Sequence, residues 1–184
     1  MLDLPALSAL IGGYNRELYR QETLDWYRST SDGRDVDRYL RGESAPDPGR
    51  KERWLAQLRR ERADGRLRQR VHVLRSPIGP YLRYECEWGY LPNCAAGEDI
   101  RVLDLAERPR PANLDITHDF WLIDDRDVVR MHYDGSGRFA GAELLASAEL
   151  PRYRAARDAA LTAAEPFTSY WPRHPEYHQA NQAA

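Results

Sequence analysis

The stretch from His118 to Leu145, HDFWLIDDRDVVRMHYDGSGRFAGAELL, constrains the fold more than any other part of the chain. Three runs of alternating apolar and polar residues are separated by Asp124-Asp125-Arg126-Asp127 and by Asp134-Gly135-Ser136-Gly137. A period of two places successive side chains on opposite faces of a strand, and such quartets carry hairpin-turn chemistry. The segment predicts an antiparallel β-meander over 118–145. A two- or four-residue first loop sets Phe120 opposite Met131, Trp121 opposite Arg130 and Asp119 opposite His132. A four-residue second loop sets His132 opposite Phe139 and Val129 opposite Ala142. A three-residue first loop would scramble this pairing. In the expected register Phe120, Leu122, Val129, Met131, Ala140, Ala142 and Leu144 form a core face. Asp119, Trp121, Ile123, Val128, Arg130, His132, Phe139 and Glu143 form a mixed face.

The remaining elements are read from period and punctuation. Leu18–Tyr27 reads as a strand, with a continuing first helix as its rival. Ser31 and Asp32 can cap a short helix through Arg41, and GESAPDPG (42–49) is a connector. Residues 50–64 predict a helix with Trp54, Leu55 and Leu58 on its apolar stripe and Gly65 as its stop. LRQRVHVL (67–74) alternates as a strand. YLRYECEWGY (81–90) reads as a second one, with Leu82, Tyr84, Cys86 and Trp88 buried and Tyr81, Arg83, Glu85 and Glu87 outward. IRVLDL (100–105) is a short strand, and Pro151 opens a final helix. Strands flanked by helices without regular alternation predict an α+β fold. Its sheet is expected to be mainly antiparallel, with N-terminal helices and one C-terminal helix around the meander. Residues 1–165 read as one domain, and 166–184 as a Pro/aromatic tail whose end is expected to be disordered.

Composition excludes several functions. The 184 residues carry 27 basic and 29 acidic side chains, net −2, whereas a protein that grips nucleic acid electrostatically is normally basic. Contact with nucleic acid is therefore expected only indirectly. No apolar run reaches the ~18 residues of a membrane span, and MLDLPALSALIGG lacks the basic start of a secretion signal. Cys86 and Cys94 are the only cysteines, too few for a disulfide framework or a thiolate zinc site. A cytoplasmic setting is expected. Lys51 is the only lysine among the 27 basic residues, a skew that codon usage in a GC-rich genome explains as well as function does.

No cofactor is expected, because the GSG turn lacks the context of a phosphate loop. No metal site is expected either: His118, Asp119 and His132 are suitable ligand types without a ligand-spacing motif. Arg66, Arg68, Arg70 and Arg75 lie near Tyr81, Tyr84 and Trp88, an interleaving suited to single-stranded nucleic acid. Arginines at a spacing of two equally describe the wet face of an edge strand. Asp119 and His132 are the candidate acid and base, and the plainer reading is a cross-strand ion pair of at most ~1 kcal/mol. Acid–base help alone supplies ~10²–10⁴-fold, short of the ~10⁶-fold that enzymes usually reach. A binding role is favoured over catalysis. Its candidate residues are Trp121, Arg130 (a cation–π pair in the expected register), Phe139 and Glu143 on the mixed face, with Arg83 and Glu85 on the outward face of 81–90.

YLRYECEW (81–88), NCAAGEDIRVLDL (93–105), the meander with its HDFWLIDD and MHYD segments, and the RYRAARDAA helix together resemble an uncharacterised family of small actinobacterial proteins. The resemblance covers about residues 14–165 and leaves the tail outside. Members of that domain-of-unknown-function family are often encoded beside Xre-type helix-turn-helix regulators, as in toxin–antitoxin-like operons. The resemblance implies a protein partner of that kind, and a homodimer is compatible with it. It supplies no catalytic residue. The rival readings are a toxin-like ribonuclease using Asp119, His132 and nearby arginines, and a small-molecule sensor.

Overall fold

A computed structural model describes residues 1–28 and 34–181. Helix α1 (Leu4–Gly12) starts where the Asp3 carboxylate accepts the Ala6 N–H, with Pro5 in its first turn. Strand β1 (Glu17–Glu22) is followed by α2 (Asp35–Leu40) and α3 (Pro48–Ala63). Asp47 caps α3 by accepting from Arg50 N–H at 3.0 Å. Strand β2 (Leu67–Leu74) leads into α4 (Pro80–Tyr84), a π-helical segment (Glu85–Tyr90) and α5 (Leu91–Ala96), then β3 (Asp99–Asp104). The meander follows as β4 (Phe120–Ile123), β5 (Asp127–Tyr133) and β6 (Phe139–Leu144). Helix α6 (Leu150–Ala163), the two-residue β7 (Glu165–Pro166) and α7 (Phe167–Tyr170) complete the main elements. The expected caps Ser31 and Asp32 lie outside the described residues, as does the end of the tail.

The fold is α+β, and its sheet is mixed rather than mainly antiparallel. Strand order is β6-β5-β4-β1-β2-β3-β7. The β1–β2 and β2–β3 pairs are parallel, and the other four are antiparallel. Parallel neighbours need a crossover, here α2–α3 and α4–α5. The expectation missed this because 81–90 is helical instead of a strand. From Leu82 on its burial does alternate, with Leu82, Tyr84, Cys86, Trp88 and Tyr90 all inside, but Tyr81, expected to face outward, is buried as well. The alternation arises because the helix is covered on two sides. Tyr84 and Trp88 meet Tyr39 of α2, with Tyr39 and Trp88 ring centroids 5.3 Å apart, while Tyr90 meets Phe167 of α7 at 5.4 Å. A doubly covered helix with a widened turn mimics the period of a strand.

The three meander strands form, but in a different register. Ile123 pairs with Asp127, Leu122 with Val128, Trp121 with Val129 and Phe120 with Arg130. Asp124 and Asp125 both adopt φ of 51°, and Arg126 N–H donates to the Ile123 carbonyl at 2.9 Å. The connection is thus the three-residue loop Asp124-Asp125-Arg126. A slip of one residue exchanges the faces, so His132 lies on the same side as Phe120, and Asp119 on the side of Met131. Strands β5 and β6 pair Val129 with Leu144 and Met131 with Ala142, with an irregularity between His132 and Tyr133. Ala140 and Leu144 are exposed, against the expected core face.

Two layers cover the sheet. On one face α6 packs Tyr153, Ala156 and Ala160 against Tyr19, Val71, Val73, Phe120, Leu122 and Val128. On the other, α1 covers Trp121, Ile123, Val129 and Met131. The helical stretch 80–96 and residues 167–177 cover Ile100 and Val102 on that same face. Phe167, Tyr170, Trp171 and Tyr177 are all buried, so these tail residues are part of the core.

Candidate functional site

Between the α1 side and the 80–96 side a cleft of about 840 Å³ opens onto the sheet, within the range of small-molecule sites. Its floor follows from strand parity. Arg20 is the Cα partner of both Trp121 and Arg70, and Glu22 is the partner of His72. Arg20-x-Glu22 and Arg68-x-Arg70-x-His72 therefore point to one face of the central strands. Arg68 and Arg70, for which a wet edge was one expectation, are only 6% and 8% exposed.

Burying charge is costly unless every group is paired, and here the pairing is dense. Arg70 donates from Nη1 to Glu22 at 2.8 Å and from Nε to Glu98 at 3.1 Å. Its guanidinium lies 5.3 Å from the Tyr90 ring centroid. Glu22 also meets Arg20 Nη2 at 2.7 Å and accepts from the Tyr90 hydroxyl at 2.9 Å. Burial pushes the Glu22 pKa up, but Arg20 and Arg70 outweigh it and hold it at about 2. His72 is fully buried, with Nδ1 2.7 Å from the Tyr90 hydroxyl and Nε2 3.1 Å from the Leu24 carbonyl. Burial lowers its pKa. Beside this network Arg68 makes a two-pronged pair with Glu61 at 2.8 and 2.9 Å, and Tyr14 donates to the same carboxylate. Burial raises the Glu61 pKa, yet hydrogen bonds from Arg68 and Gln57 bring it to about 2.

The walls add unlike chemistry. Lys51 Nζ donates to Asn93 Oδ1 at 3.1 Å, and Trp54 Nε1 donates to the same oxygen at 3.1 Å. Burial lowers the Lys51 pKa to about 8. Arg28 and Arg138 are exposed bridge partners, and both line the cleft. Altogether seven cationic side chains (Arg20, Arg28, Arg50, Lys51, Arg68, Arg70 and Arg138) line it against three acidic ones (Glu22, Asp35 and Glu85). Aromatic rings from Tyr27, Trp54, Tyr81, Trp88, Tyr133 and Phe139 supply flat apolar surface.

The residues singled out from sequence are divided by this geometry. Trp121, Phe139 and Glu85 line the cleft. Arg130 lies on the opposite face as the partner of Glu143, with His132 Nε2 3.6 Å from that carboxylate. The cation over Trp121 is therefore Arg20, at 4.9 Å, and not Arg130. Arg83 donates to the Ile78 carbonyl and stacks 5.5 Å from Tyr177. Asp119 and His132 form no pair, because they face opposite ways. Asp119 instead accepts from Thr23 N–H and Oγ1–H, each at 2.8 Å, and from Tyr27 at 2.6 Å. Burial raises its pKa, and its bonds pin the turn after β1. Arg20, Glu22 and Lys51 were not identified from sequence as site residues, and Arg68 and Arg70 were weighed only as a nucleic-acid stretch or a wet edge. Two signals pointed to them: charged residues two apart in strands otherwise rich in apolar residues, and a single lysine among arginines.

The family model for a domain of unknown function, DUF6879, matches residues 5–172. The chain belongs to this family. The match takes in Phe167, Tyr170 and Trp171, which were expected to fall outside the shared region, and every strand of the cleft floor. No curated protein matches the chain significantly. Among the described residues no helix is long and apolar enough to cross a membrane, and no three His, Cys, Asp or Glu side chains gather as a metal site.

Proposed function

We propose that the chain is a non-enzymatic binding module whose cleft takes a small anionic molecule with a flat apolar body. The observation that carries this reading is the cationic rim of exposed Arg28 and Arg138 with half-buried Lys51, above a floor whose arginines are already paired, combined with aromatic walls. A concave low-dielectric site lined by one sign of charge concentrates ligands of the other. Aromatic faces give such ligands contact area at little entropic cost. Catalysis by Asp119 and His132, the basis of a ribonuclease role, loses support because the two side chains face opposite ways. In this reading a helix-turn-helix regulator, the partner implied by the family resemblance, senses whether the cleft is filled.

Thermal unfolding of the full chain with paired anionic and neutral aromatic compounds tests the proposal. A ligand at 100 times its Kd adds about 2.7 kcal/mol, a rise of roughly 5–10 °C for a chain of this size. The anionic members should stabilise and their neutral counterparts should not. Arg28→Glu with Arg138→Glu should weaken every anion. Equal shifts from neutral and anionic compounds, or no shift from any, would overturn the reading.

A further inference from the structure

Two buried N–H donors on the inner wall of the cleft have no acceptor among the described residues: Nε of Arg20 and Nε1 of Trp121. They belong to directly paired residues of β1 and β4. The Arg20 guanidinium carbon is 4.9 Å from the indole ring centroid, within reach of one small acceptor. Trp121 is only 8% exposed. Buried donors are almost always satisfied, because an unsatisfied one carries its full desolvation cost. A pair of them side by side in a cleft marks the place of a ligand atom.

The surroundings select the acceptor. Arg20 already spends Nη2 on Glu22 at 2.7 Å, and Asp119 lies in the same part of the sheet face. A phosphoryl dianion would meet those carboxylates with twice the charge of a monoanion and would offer three oxygens to two donors. A carboxylate offers two oxygens to two donors. Next to Arg20 the rings continue outward, with Tyr27 and Tyr133 centroids 5.3 Å apart and Tyr133 and Phe139 6.4 Å apart. We propose that the cleft binds an aromatic carboxylate, its oxygens accepting from Arg20 Nε and Trp121 Nε1 and its ring lying against Tyr133 and Phe139. This subsite rests on the binding role proposed above and specifies its ligand class.

The test is a titration of the full ¹⁵N-labelled chain with benzoate, benzamide and inorganic phosphate, following the indole N–H resonances. Trp121→Phe assigns the resonance and, by keeping a ring in place, reports whether the fold is retained. Benzoate should shift the Trp121 signal saturably, with a Kd in the millimolar range or tighter. It should bind about tenfold more tightly than benzamide or phosphate. Trp121→Phe, with the rest of its spectrum unchanged, should weaken benzoate several-fold. An unmoved Trp121 signal, equal binding of benzamide (the result if an ordered water satisfies the donors), or stronger binding of phosphate overturns the carboxylate subsite. If other anions stabilise the protein thermally while the Trp121 signal stays fixed, the cleft reading survives and only the subsite fails. If no anion does either, both fail.

Discussion

Arg70 shows how a single residue ties the fold to the cleft. It sits on a central strand with Glu22 and Glu98 both directed at it. Its replacement leaves buried Glu98 with Asn93 as its side-chain partner and Glu22 with Arg20 as its one close guanidinium, and breaking a buried ion pair from one side costs ~3–5 kcal/mol. Arg70→Met should lower stability by about that amount in denaturant titration. Glu22→Gln should cost less, because Arg70 keeps Glu98. His118 gives the complementary case of a group held neutral. Its Nε2 lies 2.9 Å from the Tyr153 hydroxyl, and burial, then Arg130 and Arg152, lower its pKa from 6.5 to about 4. The unfolded chain takes up the proton first on acidification. Stability is therefore complete above about pH 6.5 and declines as pH falls toward about 4. His118→Gln cannot bind that proton, so its melting temperature should change less across the same window. A variant as acid-sensitive as the wild type would show that other groups govern the decline.

At the scale of elements, the first hairpin turn sets the faces of the meander. Asp124 accepts from the backbone N–H groups of Asn15, Arg16 and Glu17 at 2.9, 2.7 and 3.1 Å, tying the β4–β5 loop to the start of β1. Hydrogen bonds to a charged acceptor are worth ~1.5–3 kcal/mol, which offsets the cost of its left-handed backbone. Asp124→Ala should lose both the bonds and the tolerance of positive φ. Asp124→Gly should lose only the bonds, and so should be the more stable variant by ~1 kcal/mol or more in equilibrium unfolding. The reverse order would deny the backbone any share. This turn is also where the sequence reading and the structure part. The existence of β4, β5, β6, β2 and α6 was legible, since each is dominated by one period. The register was not, because an acidic quartet is compatible with loops of two, three or four residues, and one residue reverses every side chain. The floor of the cleft was obscured differently. Arg68 and Arg70 have the spacing of a solvated edge, and only their partners Glu61, Glu22 and Glu98, from three other segments, make burial affordable.

Across the whole molecule, the cleft depends on packing behind it. Lys51 loses its proton at about pH 8, so anion affinity should fall as pH rises through that value. Lys51→Arg, charged throughout, should remove that dependence in an affinity-against-pH series. The deeper dependence runs through residues 167–177. Tyr90 holds Glu22 and His72 from one side, and its ring is backed by Phe167, which in turn stacks on Trp171 at 5.8 Å. Tyr170 donates to Asp104 at 3.1 Å, and that carboxylate also accepts the N–H groups of Ser76 and Ala106. The aromatic segment thus buttresses the 80–96 helix and the end of β3 together. Phe167 is fully buried, so Phe167→Ala should cost ~3–5 kcal/mol. A chain ending at Pro166 loses Phe167, Tyr170, Trp171 and Tyr177 at once. At ~3–5 kcal/mol for each large aromatic, that loss matches or exceeds the ~5–15 kcal/mol by which domains of this kind are stable at all. The shortened chain should show a broad, non-cooperative melt and weak near-ultraviolet dichroism, and it should fail to bind any anion that stabilises the full chain. Cooperative unfolding with binding intact would make the segment an accessory, and the cleft self-supporting.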